Sequence, residues 1–201
     1  MFESLARYLI EKGGLSDEDL KQIEAVVVPR KIRKRQYLLQ EGDVSRYNSF
    51  VVKGCLRLYQ VGKDGEEHVL KFAVENWWIS DYESYYSGLP SKYNIDALEN
   101  SEILMIEKSK LAILLDTIPR LRKLIEKLDA RNFEATQKRI LSSISQTAEE
   151  RYNDFVLSCP QIANRVPLHM IASFMGLSRE TLSRVRQQHA RRVQTLNKEK
   201  V

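Results

Sequence analysis

The 201-residue sequence predicts an α+β protein in three parts: an N-terminal β jelly roll over residues 1–118, a dimerisation helix over 119–142 and a C-terminal helix-turn-helix domain over 143–201. Three observations predict it. Between Lys31 and Ile106, short runs of β-branched and aromatic residues are separated by glycine turns, the spacing of a sandwich or jelly roll. Pro119 opens a stretch whose apolar residues recur at spacings of four and three. From Val166 to His189, two short amphipathic segments meet at one glycine.

Residues 1 to about 27 are expected to be helical, in two pieces broken at Gly13-Gly14. Ser16 is a good N-cap for the second piece, and Asp17, Glu18 and Asp19 suit its positive end. Pro29 closes the helical region, and the basic run Arg30 to Arg35 reads as an edge strand. Gly42-Asp43 marks a turn. Ser49 to Gln60 reads as one strand interrupted or bent at Gly54, and Gly62 to Gly65 as a hairpin turn into Glu67–Phe72. A further strand is expected over Ile95 to Ile106.

Glu75 to Asn94 holds both tryptophans and several tyrosines, too dense a cluster for a mere connection. Two explanations stand side by side: core or dimer packing, and an aromatic-lined effector pocket formed by Trp77, Trp78, Tyr82, Tyr85, Lys92 and Tyr93. In the long helix, Leu121, Ile125, Leu128, Asn132 and Ala135 form the expected dimer seam. Leu124, Phe133, Ile140, Leu141 and Ile144 lie off it and are expected to pack on the protein's own domains. Ser142, Ser143 and Ser145 lower helix propensity where a hinge would be useful, and Thr147 with Glu150 forms a capping box for the next helix.

The C-terminal segment carries the sharpest signal. Pro167 can open a helix that buries Leu168, Ile171, Phe174 and Met175. Gly176 supplies the permissive turn, and Ser178 caps a second helix that hides Leu182 and Val185 and exposes Arg179, Glu180, Arg184 and Arg186. Charge points to the same place. The net charge is +5, and Arg179 to Val201 holds seven basic and two acidic residues, so the preceding residues balance at 25 of each sign. A concentrated positive surface is what phosphates attract.

Other function classes fare less well. His68, His169 and His189 stand apart from one another and from Cys55 and Cys159, so metal-ligand spacing is absent and no metal site is expected. Two cysteines cannot build a four-thiolate iron–sulfur cluster. No Ser or Cys sits in a nucleophile elbow, and a metal-dependent barrel enzyme would need more than the single histidine of the barrel. No apolar run approaches the ~20 residues of a membrane span, and the N-terminus lacks a secretory pattern, so the expected location is the cytoplasm.

Taken in chain order, barrel, long helix and helix-turn-helix resemble the Crp/Fnr family of bacterial transcription regulators, most sharply at Gly176-Leu177-Ser178-Arg179-Glu180-Thr181-Leu182-Ser183-Arg184-Val185. The resemblance implies a cyclic-nucleotide-binding-like barrel and a homodimer on a two-fold-symmetric DNA site. It also implies RNA polymerase as a partner and an unidentified small-molecule effector. It assigns Arg179, Glu180 and Arg184 as base readers, and the chemistry agrees: arginine can donate twice to guanine and glutamate can accept from cytosine. Ser178, Thr181, Ser183, Arg186 and His169 are the expected phosphate and positioning contacts. Where nucleotide-binding members carry Gly-Glu and then Arg-Ser or Arg-Thr, the corresponding region here reads Asn76-Trp77-Trp78-Ile79-Ser80-Asp81 and then Ser91-Lys92-Tyr93-Asn94; the arginine is missing, and Lys92 would offer a charge without the bidentate geometry, so cyclic AMP is not expected as a cofactor. After Arg192 a full β-hairpin wing is not expected. An alternative within the class is a regulator with a degenerate barrel and no effector.

Overall fold

The computed structural model describes the backbone of residues 1–198 and the side chains as far as His189. Helix α1 (Phe2–Gly13) ends at Gly14 in the left-handed conformation, and α2 (Asp17–Glu24) starts with the Ser16–Asp19 capping box. The strands β1 (Val28–Ile32), β2 (Tyr37–Leu39), β3 (Tyr47–Lys53), β4 (Leu56–Val61), β5 (Glu67–Ala73) and β6 (Trp78–Ile79) follow. Short helix α3 (Tyr82–Ser87) separates them from β7 (Asn94–Ala97) and β8 (Ser101–Glu107). The rest is helical: α4 (Lys108–Thr117), α5 (Pro119–Ser145), α6 (Ala148–Ser158), α7 (Pro160–Ala163), α8 (Leu168–Met175) and α9 (Arg179–Lys198). No helix among the described residues is long and apolar enough to cross a membrane.

The strands form two antiparallel sheets, ordered β1-β8-β3-β6 and β2-β7-β4-β5. Their inner faces enclose Ile32, Val51, Ile79, Ile103 and Met105 from one sheet and Leu39, Leu56, Leu58 and Ile95 from the other. Alternation along a strand sends the next residues outward. Phe50, Trp78, Leu104 and Ile106 therefore pack against Leu5 and Leu9 of α1, Leu111 and Leu114 of α4, and Leu121 and Leu124 of α5. On the other side Tyr59, Val69 and Phe72 meet Tyr152, Phe155, Ile171 and Met175 of the C-terminal helices.

Three expectations change. Ser49 to Gln60 is two strands in different sheets rather than one bent strand: Gly54, at φ +109, switches the chain between them. Ile95 to Ile106 likewise divides into β7 and β8 in opposite sheets, because the turn at Leu98–Asn100 redirects the chain. Finally, Phe133, Ile140, Leu141 and Ile144 do not pack on the protein's own domains. They are 54–78% exposed: beyond residue 130 α5 still touches the barrel, Arg139 Nη1 donating to the Leu70 carbonyl, but that contact leaves these four side chains uncovered. Leu124 does pack in the core, at 4% exposure. The serines near the end of α5 leave it helical as far as Ser145, with Ser143 Oγ donating to the Ile140 carbonyl and Ser145 Oγ to that of Leu141.

Candidate nucleic-acid interface

The helix-turn-helix is built from α8 and α9. Pro167 is the N-cap of α8, and Gly176 ends it at φ 65° and ψ 38°, a left-handed conformation that an L side chain adopts only with strain. The Leu177 amide then donates to the Ala172 carbonyl at 2.9 Å. Ser178 caps α9: its Oγ accepts the Thr181 amide at 3.1 Å and lies 3.0 Å from Thr181 Oγ1. Arg151 of α6 holds the turn from behind, its Nη1 donating to the Met175 carbonyl at 2.8 Å.

Leu182 (0% exposed) and Val185 of α9 pack on Ile171, Ala172 and Met175 of α8, with Tyr152, Phe155, Ile162 and Val166 completing the core. Arg179, Glu180, Arg184 and Arg186 are thereby turned to solvent; Thr181 and Ser183 are half-buried, and Ser178 and His169 are exposed. Arg179 and Arg184 lie five residues apart, about 140° around the helix axis. Such an arrangement presents two forked donors and one acceptor within two turns, a pattern suited to base edges. Residues beyond His189, including Arg191, Arg192 and any wing, lie outside the described side chains.

At the barrel, a groove of about 1220 Å³ runs between α1, the outer face of the first sheet, α3 and α5. Trp77, Trp78, Tyr82 and Tyr85 line it together with Lys71 and Asp129; Lys92 and Tyr93 are not among its lining residues. Lys92 is exposed and pairs with Glu83 at 2.7 Å. Packing and cavity lining turn out to coexist, since Trp78 also meets the Phe50 ring edge-on at 5.2 Å. Burial pushes the Tyr85 hydroxyl up to about 12 and the Lys71 ammonium down to about 8, the latter opposed by the carboxylate of Asp129.

In the stretch that corresponds to the nucleotide cassette, Asp81 and Ser91 serve local structure. Asp81 spends Oδ1 on the amides of Glu83 and Ser84 as the cap of α3. Ser91 is buried and bonded locally to Tyr93, and neither position offers a guanidinium. Among the described residues there is no group of three or more His, Cys, Asp and Glu side chains able to hold a metal.

Sequence reasoning missed the residues that join the two halves. Arg165, between α7 and α8, donates from Nε and Nη2 to Glu99 at 3.0 and 2.8 Å and from Nη1 and Nη2 to Glu75 at 2.7 and 3.1 Å. Ser173 of α8 accepts the Val69 amide at 2.9 Å and donates to the Glu67 carbonyl at 2.7 Å. These partners lie 66 to 106 positions apart, and no local pattern announces them.

Comparison with known proteins agrees with this architecture. Residues 29–117 match the model of the cyclic nucleotide-binding domain family. Over 187 residues the chain is 25% identical to the transcriptional activator protein Anr of Pseudomonas aeruginosa, covering 86% of this chain and 75% of that protein. It is 27% identical over 184 residues to the fumarate and nitrate reduction regulatory protein of Shigella dysenteriae, covering 85% and 72%. Among solved structures, FixK2 of Bradyrhizobium japonicum superposes with a TM-score of 0.70 at 22% identity, covering 83% of this chain and 86% of the other.

Proposed function

We propose that this chain is a Crp/Fnr-type transcription regulator, as its similarity to Anr and to the fumarate and nitrate reduction regulatory protein supports, and that it is a homodimeric, sequence-specific DNA-binding protein whose work is binding rather than catalysis. The observation that carries this reading is the outward display of Arg179, Glu180 and Arg184 on a helix anchored by Leu182 and Val185. These three read base edges in the major groove. The Thr181 hydroxyl, Ser183, Arg186 and His169 contact phosphates, and Ser178 orients the helix start. The protein acts in the cytoplasm with RNA polymerase as its partner.

Residues 1–118 form the sensor, 119–142 the dimerisation helix and 143–201 the DNA-binding domain. Leu121 is buried in the protein's own core, Ile125 and Leu128 are half-buried beside the groove, and Asn132 and Ala135 are exposed. The pairing face therefore extends along the distal half of α5, where Phe133, Ile140 and Ile144 recur at spacings of seven and four with Leu141 beside them. The groove at Trp77, Trp78, Tyr82 and Tyr85 is where an effector would act, by preferring one arrangement of barrel and DNA-binding domain. The effector is neither cyclic AMP nor an iron–sulfur cluster held by this chain, whose cysteines number two.

Selection of bound sequences from random DNA tests the assignment. Arg179→Ala and Arg184→Ala should each relax preference at one position per half-site, costing ~1–3 kcal/mol of discrimination. Uniform weakening with an unchanged preferred sequence would reassign these arginines to phosphates.

A further inference from the structure

The DNA-binding domain is docked on the barrel through contacts that involve none of the residues proposed to read DNA. Arg165 places its guanidinium between two carboxylates from different barrel turns, Glu75 and Glu99, making two bonds to each. Glu75 is itself tied to the barrel, its Oε1 accepting the Gly54 amide at 2.8 Å where the chain crosses from β3 to β4. Eight residues past Arg165, Ser173 satisfies an N–H and a C=O on the edge of β5, groups an edge strand otherwise leaves to water. Between the two lies an apolar contact, Phe174 against Phe72 with ring centres 5.3 Å apart. Arg139 of α5 closes the far side: its guanidinium sits 4.8 Å from the Phe174 ring centre and donates to the Leu70 carbonyl at 2.7 Å.

Apart from the Arg139–Leu70 bond, each contact is made by α8 or the turn before it, and α9 is fixed to α8 by the packing of Leu182 and Val185. Locking α8 to the barrel therefore locks the direction in which Arg179, Glu180 and Arg184 point. In a dimer joined through α5, the two recognition helices would then stand at one separation, which a two-fold DNA site must match.

We propose that Arg165 and Ser173 are positioning residues for DNA recognition: together they latch the helix-turn-helix to the barrel and so set the half-site spacing the dimer accepts. The proposal rests on the reading of the chain as a dimeric DNA-binding regulator. The guanidinium fork is suited to the task because it can bond two carboxylates at once in fixed geometry, which a lysine cannot.

The test compares full-length wild type, Arg165→Lys, Arg165→Glu and Arg165→Glu/Glu99→Arg. Binding is measured to duplexes whose two selected half-sites are separated by the preferred spacing or by one base pair more or less. Amide hydrogen exchange at Val69 gives a readout without DNA. Arg165→Glu should expose the Val69 amide, lower affinity for the preferred spacing about tenfold and bring the three spacings within about threefold of one another. Arg165→Lys should fall between, and the charge swap with Glu99→Arg should restore both Val69 protection and spacing preference, which a merely misfolded variant would not do.

An Arg165→Glu protein that exposes Val69 yet keeps the wild-type spacing preference overturns the proposal. So does one that leaves Val69 protected, or one that binds DNA more tightly. Failure of the wild type to bind any two-fold duplex would instead overturn the reading on which the latch rests, while Val69 exchange still reports whether Arg165 holds the domains together.

Discussion

Replacing Arg57 by methionine should be among the most damaging single changes in the barrel. Arg57 is 5% exposed, and its guanidinium donates to Asp96 at 2.8 and 3.1 Å and to both carboxylate oxygens of Glu67 while lying 3.9 Å from the Tyr59 ring centre. Burial lowers the arginine's pKa, but the bonds from Asp96 and Glu67 more than offset it and hold the group charged. Glu67 is 42% exposed and can turn to water; Asp96, at 9% for its side chain, cannot. Arg57→Met thus strands a buried carboxylate, a loss of about 3–5 kcal/mol. For a chain of this size each kcal/mol is worth roughly 2–4 °C in Tm, so the midpoint should fall by about 6–20 °C. Denaturant titration with the thermal midpoint measures it, and the control is Arg57→Met/Asp96→Leu, which removes the stranded charge and should recover most of the loss. A single variant that loses less than about 1 kcal/mol, or a double variant that is worse than the single, refutes the reasoning.

Gly54→Ala should destabilise by about 3 kcal/mol or more, since φ +109 disfavours an L residue and the new Cβ would lie 2.1 Å from Ser101 Oγ and 2.8 Å from Ser101 Cα. Equilibrium unfolding reads the loss, and a well-tolerated alanine would show that the crossing between sheets relaxes easily. Lys71→Met should stabilise the protein below pH 8 by up to about 3 kcal/mol. The folded-state pKa of Lys71 is lowered from 10.5 to about 8, so wild type carries an unfavourable charge below 8 that is relieved as pH rises towards 10.5. The gap between the two unfolding curves should accordingly close over that window, and a pH-independent gap would count against a strained ammonium.

The helix-turn-helix was legible in the sequence because everything that defines it is local: a proline, one glycine, a capping serine and apolar spacing fit within Val166 to His189. The capping boxes at Ser16 and Thr147 were legible for the same reason. The switch at Gly54 was not, because what demands glycine there is Ser101, brought against it by the fold. The two faces of α5 were also beyond reach. Apolar spacing marks residues that shun water but not whether the chain's own core covers them, as for Leu121 and Leu124, or leaves them exposed, as for Phe133 and Ile144. Among the barrel aromatics, composition identified a cluster, yet only the tertiary arrangement separates Trp77, Trp78, Tyr82 and Tyr85 in the groove from Lys92 and Tyr93 outside it.

The central claim, that two copies joined through α5 read a two-fold site with α9, is tested most directly by the stoichiometry of the complex on a duplex carrying one selected site. Wild type should bind as two chains per duplex, and scrambling one half-site should weaken binding at least about a hundredfold, as expected from losing several base contacts worth ~1–3 kcal/mol each. One chain per duplex, with affinity indifferent to the second half-site, would contradict it.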